Sequence, residues 1–145
     1  METQVKNGGE GLGLKTDRRF MTDALTALLE EGETLYSPVY GCLMERELFR
    51  AANHFGFFGR TDTHLLIAIL NPFNGKRIDW TARVPLSVRK ATLRRGLLSG
   101  QWTVKLTFYE GAPCRLRMAP RLFCGDFIHQ RENVQEWIAF LRRWE

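Results

Sequence analysis

No stretch of this sequence stays apolar long enough to cross a membrane, because its longest aliphatic run, residues 65–70, falls far short of the ~20 residues a spanning helix needs. Met1, Glu2, Thr3 and Gln4 hold no apolar segment of a signal peptide, so the chain reads as cytoplasmic. Cysteine is scarce. Cys42, Cys114 and Cys124 are odd in number and form no C-x-x-C pair, which excludes a disulfide framework and points to reduced, half-buried thiols. His54, His64 and His129 lie as far apart as the cysteines, so no metal site and no cofactor is expected. Catalytic motifs are lacking too. Gly9-Glu10-Gly11-Leu12-Gly13 follows no strand and opens no nucleotide-binding unit. Gly96-Leu97-Leu98-Ser99-Gly100 misses the G-x-S-x-G spacing by one residue and reads as a loop. Asp62 and His64 sit two apart at a strand entrance, where an Asp more often caps its own backbone than works as an acid or base. No catalytic residue emerges, and the chain reads as non-enzymatic.

Acidic residues are thin where basic ones gather. Residues 76–121 carry eleven basic side chains against Asp79 and Glu110, a local charge of +9, and the rest of the chain is −4, for +5 overall. Sixteen of the 21 basic residues are Arg, whose planar fork grips phosphate or carboxylate. Such a segment suits an anionic partner, self-association between unlike faces, or a solvated strand face protected by charge from edge pairing.

What is present describes one domain. A chain of 145 residues with 44% hydrophobic and 26% charged residues can bury roughly 68–70% of its unfolded surface in a single core. Residues 1–15 hold Gly8, Gly9, Gly11 and Gly13 with few aliphatic side chains and are expected to be a flexible tail. Phe20, Ala24, Leu25, Leu28 and Leu29 fall at helical spacing, predicting a helix over 16–32 that Thr16 or Asp17 starts and Gly32 ends. Its acidic end, Glu30, Glu31 and Glu33, opposes the helix dipole and would sit better beside basic residues.

The middle of the chain alternates as strands do. Trp102, Val104, Leu106 and Phe108 interleave with polar residues, and beyond a turn at Glu110-Gly111 so do Cys114, Leu116 and Met118, giving a hairpin with a basic outer face. Ile78, Trp80, Ala82 and Val84 alternate likewise, joined to the aliphatic strand 65–70 through Asn74-Gly75. Residues 35–44 predict a strand in which Pro38 requires an edge or a bulge, and 55–58 another, with 45–54 open between strand, loop and helix. A closing helix over 133–143 is expected, with Asn133 and Glu136 as a capping box and Trp137, Ile138, Phe140, Leu141 and Trp144 on its apolar face. About seven short antiparallel strands followed by such a helix imply a bent sheet or partly open barrel with the helix over one end.

Residues 57–68, with Thr61-Asp62-Thr63-His64-Leu65 at their centre, resemble the second and third strands of bacterial pleckstrin-homology-like (PH-like) domains, with His64 where the family usually has Arg. Val84-Pro85-Leu86-Ser87-Val88 is similar to the family's I-P-L-x-x-I segment, and the terminal helix to its closing helix. The resemblance implies a mainly β barrel over 33–145, preceded by the tail and the extra helix. It also implies a scaffold that often forms homo-oligomers. The K-x(n)-R-x-R pattern by which the wider superfamily binds phosphoinositide head groups is absent, since Arg46 and Arg50 are offset by Glu45 and Glu47.

The functional expectation is therefore a PH-like interaction module that self-associates or binds an acidic protein or peptide. The alternative is a peripheral adaptor for anionic phospholipid or another phosphate-bearing ligand. Its ligand-binding residues would be Arg83, Arg89, Lys90, Arg94 and Arg95. A membrane surface ranks below a protein partner, and nucleic acid lower still, since no exposed aromatics interleave with these arginines.

Overall fold

The computed structural model describes residues 14–47, 50–122, 127 and 129–145. The glycine-rich segment 1–13 and Cys124 lie outside them. A first helix, α1 (Leu14–Thr26), precedes seven strands: β1 (Tyr36–Glu47), β2 (Arg50–Arg60), β3 (His64–Leu70), β4 (Ile78–Pro85), β5 (Val88–Arg95), β6 (Trp102–Phe108) and β7 (Cys114–Met118). A second helix, α2 (Gln130–Leu141), runs into a short 3-10 turn, Arg142–Trp144. Among the described residues no helix is long and apolar enough to cross a membrane.

All seven strands form one antiparallel sheet in the order β4-β3-β2-β1-β7-β6-β5. Its two edge strands, β4 and β5, are consecutive in the chain, with only Leu86 and Ser87 between them. The sheet must therefore curl until its edges meet at that corner, which Leu86 N–H donating to the Thr63 carbonyl (2.8 Å) and Tyr109 N–H donating to the Ser87 carbonyl (3.2 Å) hold in place. This is a mainly β, PH-like barrel. Inside it pack Val39, Leu43, Phe58, Ile67, Val104, Leu106, Leu116 and Met118, closed at one end by Val134, Trp137, Ile138 and Leu141 of α2. Outside, α1 lays Met21 and Leu25 on Phe57, Leu66 and Ala68, so β3 is buried on both faces and reads as an unbroken aliphatic run.

Pro38 stands in a bulge, as its missing N–H demands, but β1 is a central strand rather than an edge. The two facts are compatible because β7 pairs only with Gly41–Met44, leaving the segment before Gly41 without a strand on that side. The ambiguous stretch 45–54 extends β1 and β2, and its 48–49 connection lies outside the described residues.

The helix ends differ from expectation. α1 begins at Leu14 and stops at Thr26, so Thr16 and Asp17 lie in its first turn. Short turns through Leu28 and Leu29 follow, and Gly32, at φ +83°, belongs to a later turn. α2 starts at Gln130, three residues early, and has no capping box. Its would-be capping residues reach β1 instead: Asn133 Nδ2 donates to the Pro38 carbonyl (2.9 Å), and Glu136 accepts from Ser37 Oγ (2.9 Å). Buried Gln130 donates to the Tyr40 and Ala119 carbonyls and accepts from Tyr40 N–H. Trp137 Nε1 donates to the Ser37 carbonyl at 2.7 Å. The alternation in β4 also fails once. A register shift between Ile69 and Leu70 turns Ile78 away from Trp80 onto the α1 side.

Two replacements separate packing from hydrogen bonding at this clamp. Trp137→Ala should lower unfolding free energy by about 3–5 kcal/mol. Trp137→Phe retains much of the volume but strands the Ser37 carbonyl, and should cost about 1–3 kcal/mol. Urea titration of both variants measures the two, and a Trp137→Phe variant as stable as the parent would show that the indole N–H contributes nothing.

Candidate functional site

Period-2 alternation divides the five basic residues expected to act together. Arg83 leaves the group entirely. It forms a two-pronged pair with Glu33 (2.7 and 2.9 Å), lies 3.4 Å from Glu30 and donates to the Leu28 carbonyl at 2.9 Å. The carboxylate and guanidinium are each about four-fifths covered, at 18% and 19% exposure. The hydrogen bond to Arg83, with a second from Glu30 N–H, holds the Glu33 carboxyl down at about 2. The acidic end of the first helical segment thus does find a basic neighbour, and Arg83 staples that segment to β4.

Arg89 is the extra residue in a register shift between Val88 and Lys90, and both Arg89 and Lys90 are exposed near the β4–β5 corner. Arg94 and Arg95, neighbours in sequence, face opposite ways. Arg95 turns toward Trp102 and α2, where it lines a recess of about 370 Å³ with Arg121 and Arg131. Arg94 points outward and joins residues that lay outside the expected set. Thr92, Lys105 and Arg115 stand side by side across β5, β6 and β7, and Arg94, Thr103 and Arg117 form the next row. Thr92, Arg94, Thr103, Lys105 and Arg115 line a shallow recess of about 360 Å³.

This face is electrostatically incomplete. Directly opposed side chains on neighbouring strands have Cβ atoms about 4.5–5.5 Å apart, and like charges in that relation are destabilising. Lys105 faces Arg115 in this way, and among the described residues no carboxylate pairs with Arg94, Lys105 or Arg115. Two threonine hydroxyls add uncharged donors. Phosphate, a compact anion with several acceptor oxygens, matches this set of donors. The hairpin's basic outer face was legible in the sequence. The missing step was registering 102–108 against 114–118 through the Glu110-Gly111 turn, which puts Lys105 opposite Arg115.

Other candidate chemistry disperses. Thr61 Oγ1, not Asp62, caps its turn by accepting from Thr63 and His64 N–H (3.1 and 2.9 Å), and His64 Nδ1 bonds Thr63 Oγ1. At the end of the barrel away from α2, a mostly apolar opening of about 550 Å³ lies between Leu43, Ile67, Trp80, Val84, Phe108 and Cys114. Glu45 at its rim holds His54 at 2.8 Å. Burial and then Glu45 push the Cys114 thiol up to about 12, and burial raises Cys42, so neither is a nucleophile at neutral pH. Among the described residues no three His, Cys, Asp or Glu side chains converge to hold a metal ion.

No family model matches the chain, and no curated protein matches it. A solved structure shares its architecture: the hSac2 domain from human phosphoinositide phosphatase Sac2 superposes with a TM-score of 0.53 at 12% identity. The match covers 86% of this chain and 78% of that one. The likeness is one of fold.

The Arg83–Glu33 pair carries its own prediction. A carboxyl depressed in the folded state from 4.5 to about 2 stabilises the protein above about 4.5, and that contribution fades as pH falls toward about 2. Glu33→Gln should therefore lower the Tm at neutral pH and flatten the decline in Tm across that acid range. Thermal melts at stepped pH check it; parallel curves would remove Glu33 from the acid transition.

Proposed function

We propose that this chain is a non-enzymatic PH-like binding module that takes a phosphate-bearing anion on the outer face of β5, β6 and β7. The observation that carries the reading is the opposed, uncompensated pair Lys105 and Arg115 with Arg94 beside them. An anion seated there converts a repulsion into two or three charge-assisted hydrogen bonds. The resemblance to PH-like domains supports a binding role. The architectural likeness to a domain of a phosphoinositide phosphatase is in keeping with a phosphate ligand.

Of the five residues expected to bind, Arg94 belongs to this face. Self-association between a basic and an acidic patch has less to draw on, because Glu33 and Glu30 both sit on Arg83 of the same chain. That favours a separate anion over a second copy.

Inositol hexakisphosphate is a suitable soluble probe. Calorimetric titration should show binding that weakens as salt rises, since exposed charges are screened within about 10 Å at 0.1 M. Lys105→Gln and Arg115→Gln should each reduce affinity roughly tenfold, the equivalent of a charge-assisted hydrogen bond of ~1.5 kcal/mol, while Arg89→Gln leaves it unchanged. Equal losses at all three positions would mean diffuse attraction to a basic protein and would dismiss the site.

A further inference from the structure

The loop joining β5 to β6, residues 96–101, has no role in the barrel's core, yet it is built with care. Gly96 N–H donates to the Gln101 carbonyl (2.8 Å), Gly100 N–H to the Gly96 carbonyl (3.0 Å) and Gln101 N–H to Ser99 Oγ (3.1 Å). Gly100 takes φ +67°, and a Cβ at Gly96 would meet Ser99 Oγ at 2.6 Å. A loop closed by three internal hydrogen bonds presents its tip in one conformation. At that tip stand Leu97 and Leu98, fully exposed at 102% and 104%. Two adjacent aliphatic side chains held wholly in water at a rigid hairpin tip contribute nothing to folding.

Their surroundings are cationic. Arg95, Arg121 and Arg131 line the recess beside them, and among the described residues no carboxylate does. Arg94 sits at the base of the same hairpin, on the phosphate-binding face. Apolar groups at the apex with arginines behind them match the section of an anionic bilayer, where acyl chains lie beneath a layer of phosphate. A protein groove would accept the leucines equally well, but it would not call for cations on more than one side of them.

We propose that Leu97 and Leu98 insert into an anionic lipid bilayer while Arg94, Arg95, Arg121 and Arg131 engage its head groups. The proposal rests on the phosphate-binding reading and extends it, because a bilayer beneath the tip brings head groups to Arg94 first. It also places the membrane contact beside α2, away from the β1–β2 connection where the wider superfamily's lipid pattern would lie.

Sedimentation of the full chain with phosphatidylcholine vesicles, with and without phosphatidylserine, tests it alongside inositol hexakisphosphate titration. The protein should pellet only with the phosphatidylserine vesicles. Leu97→Ser/Leu98→Ser should weaken that binding about tenfold or more, the scale expected for withdrawing buried aliphatic surface from lipid. The same variant should keep its Tm and its affinity for inositol hexakisphosphate, whereas Lys105→Gln/Arg115→Gln should lose the soluble ligand. Vesicle binding that ignores the leucines would overturn insertion and leave the phosphate site standing. Equal binding to both vesicle types would overturn the role of the arginines. A leucine variant that changes the protein's solution mass rather than its vesicle binding would assign the tip to a second copy and also overturn the proposal. Failure to bind inositol hexakisphosphate would remove the phosphate site itself.

Discussion

The barrel depends on what happens to the backbone of β1 between Ser37 and Tyr40. Pro38 interrupts the ladder to β2, β7 does not reach this stretch, and Ser37 sits at φ +52°, a left-handed conformation that a side chain makes unfavourable. Buried carbonyls without partners cost about 1–3 kcal/mol each. α2 removes that cost with Gln130, Asn133 and Trp137, each bonded to a carbonyl in this stretch. The same helix inserts Trp137, Ile138 and Leu141 into the barrel end. Hydrogen bonding thus fixes where the helix docks, and apolar burial makes the docking worthwhile. Neither suffices alone, since a helix that slid by one turn would keep an apolar face but orphan the bulge.

Closure at one end leaves the rest of the surface available for other work, and charge is distributed accordingly. Arg83 faces the acidic turn that follows α1 and ties that segment to β4. The outer face of β5, β6 and β7 carries cations with no carboxylate among the described residues to meet them. Stability argues for the first arrangement and against the second. A sheet face that keeps like charges directly opposed costs stability, a cost that the anion proposed above would offset. The leucine pair follows the same logic with the opposite polarity, being apolar surface held in water by a loop that three internal hydrogen bonds close.

The elements themselves were largely readable. Alternation of period 2 located β4, β6 and β7, the aliphatic run marked β3 as a strand buried on both faces, and Trp137, Ile138 and Leu141 announced the helix that plugs the barrel. Where the reading slipped, a tertiary demand had overridden a local rule. Asn133 and Glu136 have capping-box spacing, but the part-buried β1 segment competes for both, its Pro38 carbonyl accepting from Asn133 and its Ser37 hydroxyl donating to Glu136. Ile78 keeps the alternation in sequence and loses it in space, because one bulged residue reverses the face of everything before it.

The sequence by itself determined a mainly β chain with a helix at each end, an excess of arginine in its second half and no recognisable catalytic apparatus. These are local properties: periodicity, composition and residue type survive without a fold. Which cations share a surface was decided only by tertiary structure. Arg94 and Arg95 are adjacent in the chain and face apart, while Arg94, Lys105 and Arg115, spread over 22 positions, meet in one recess. The reason is geometric, because a strand alternates faces at every residue and its neighbours are chosen by register across the sheet, neither of which proximity along the chain records.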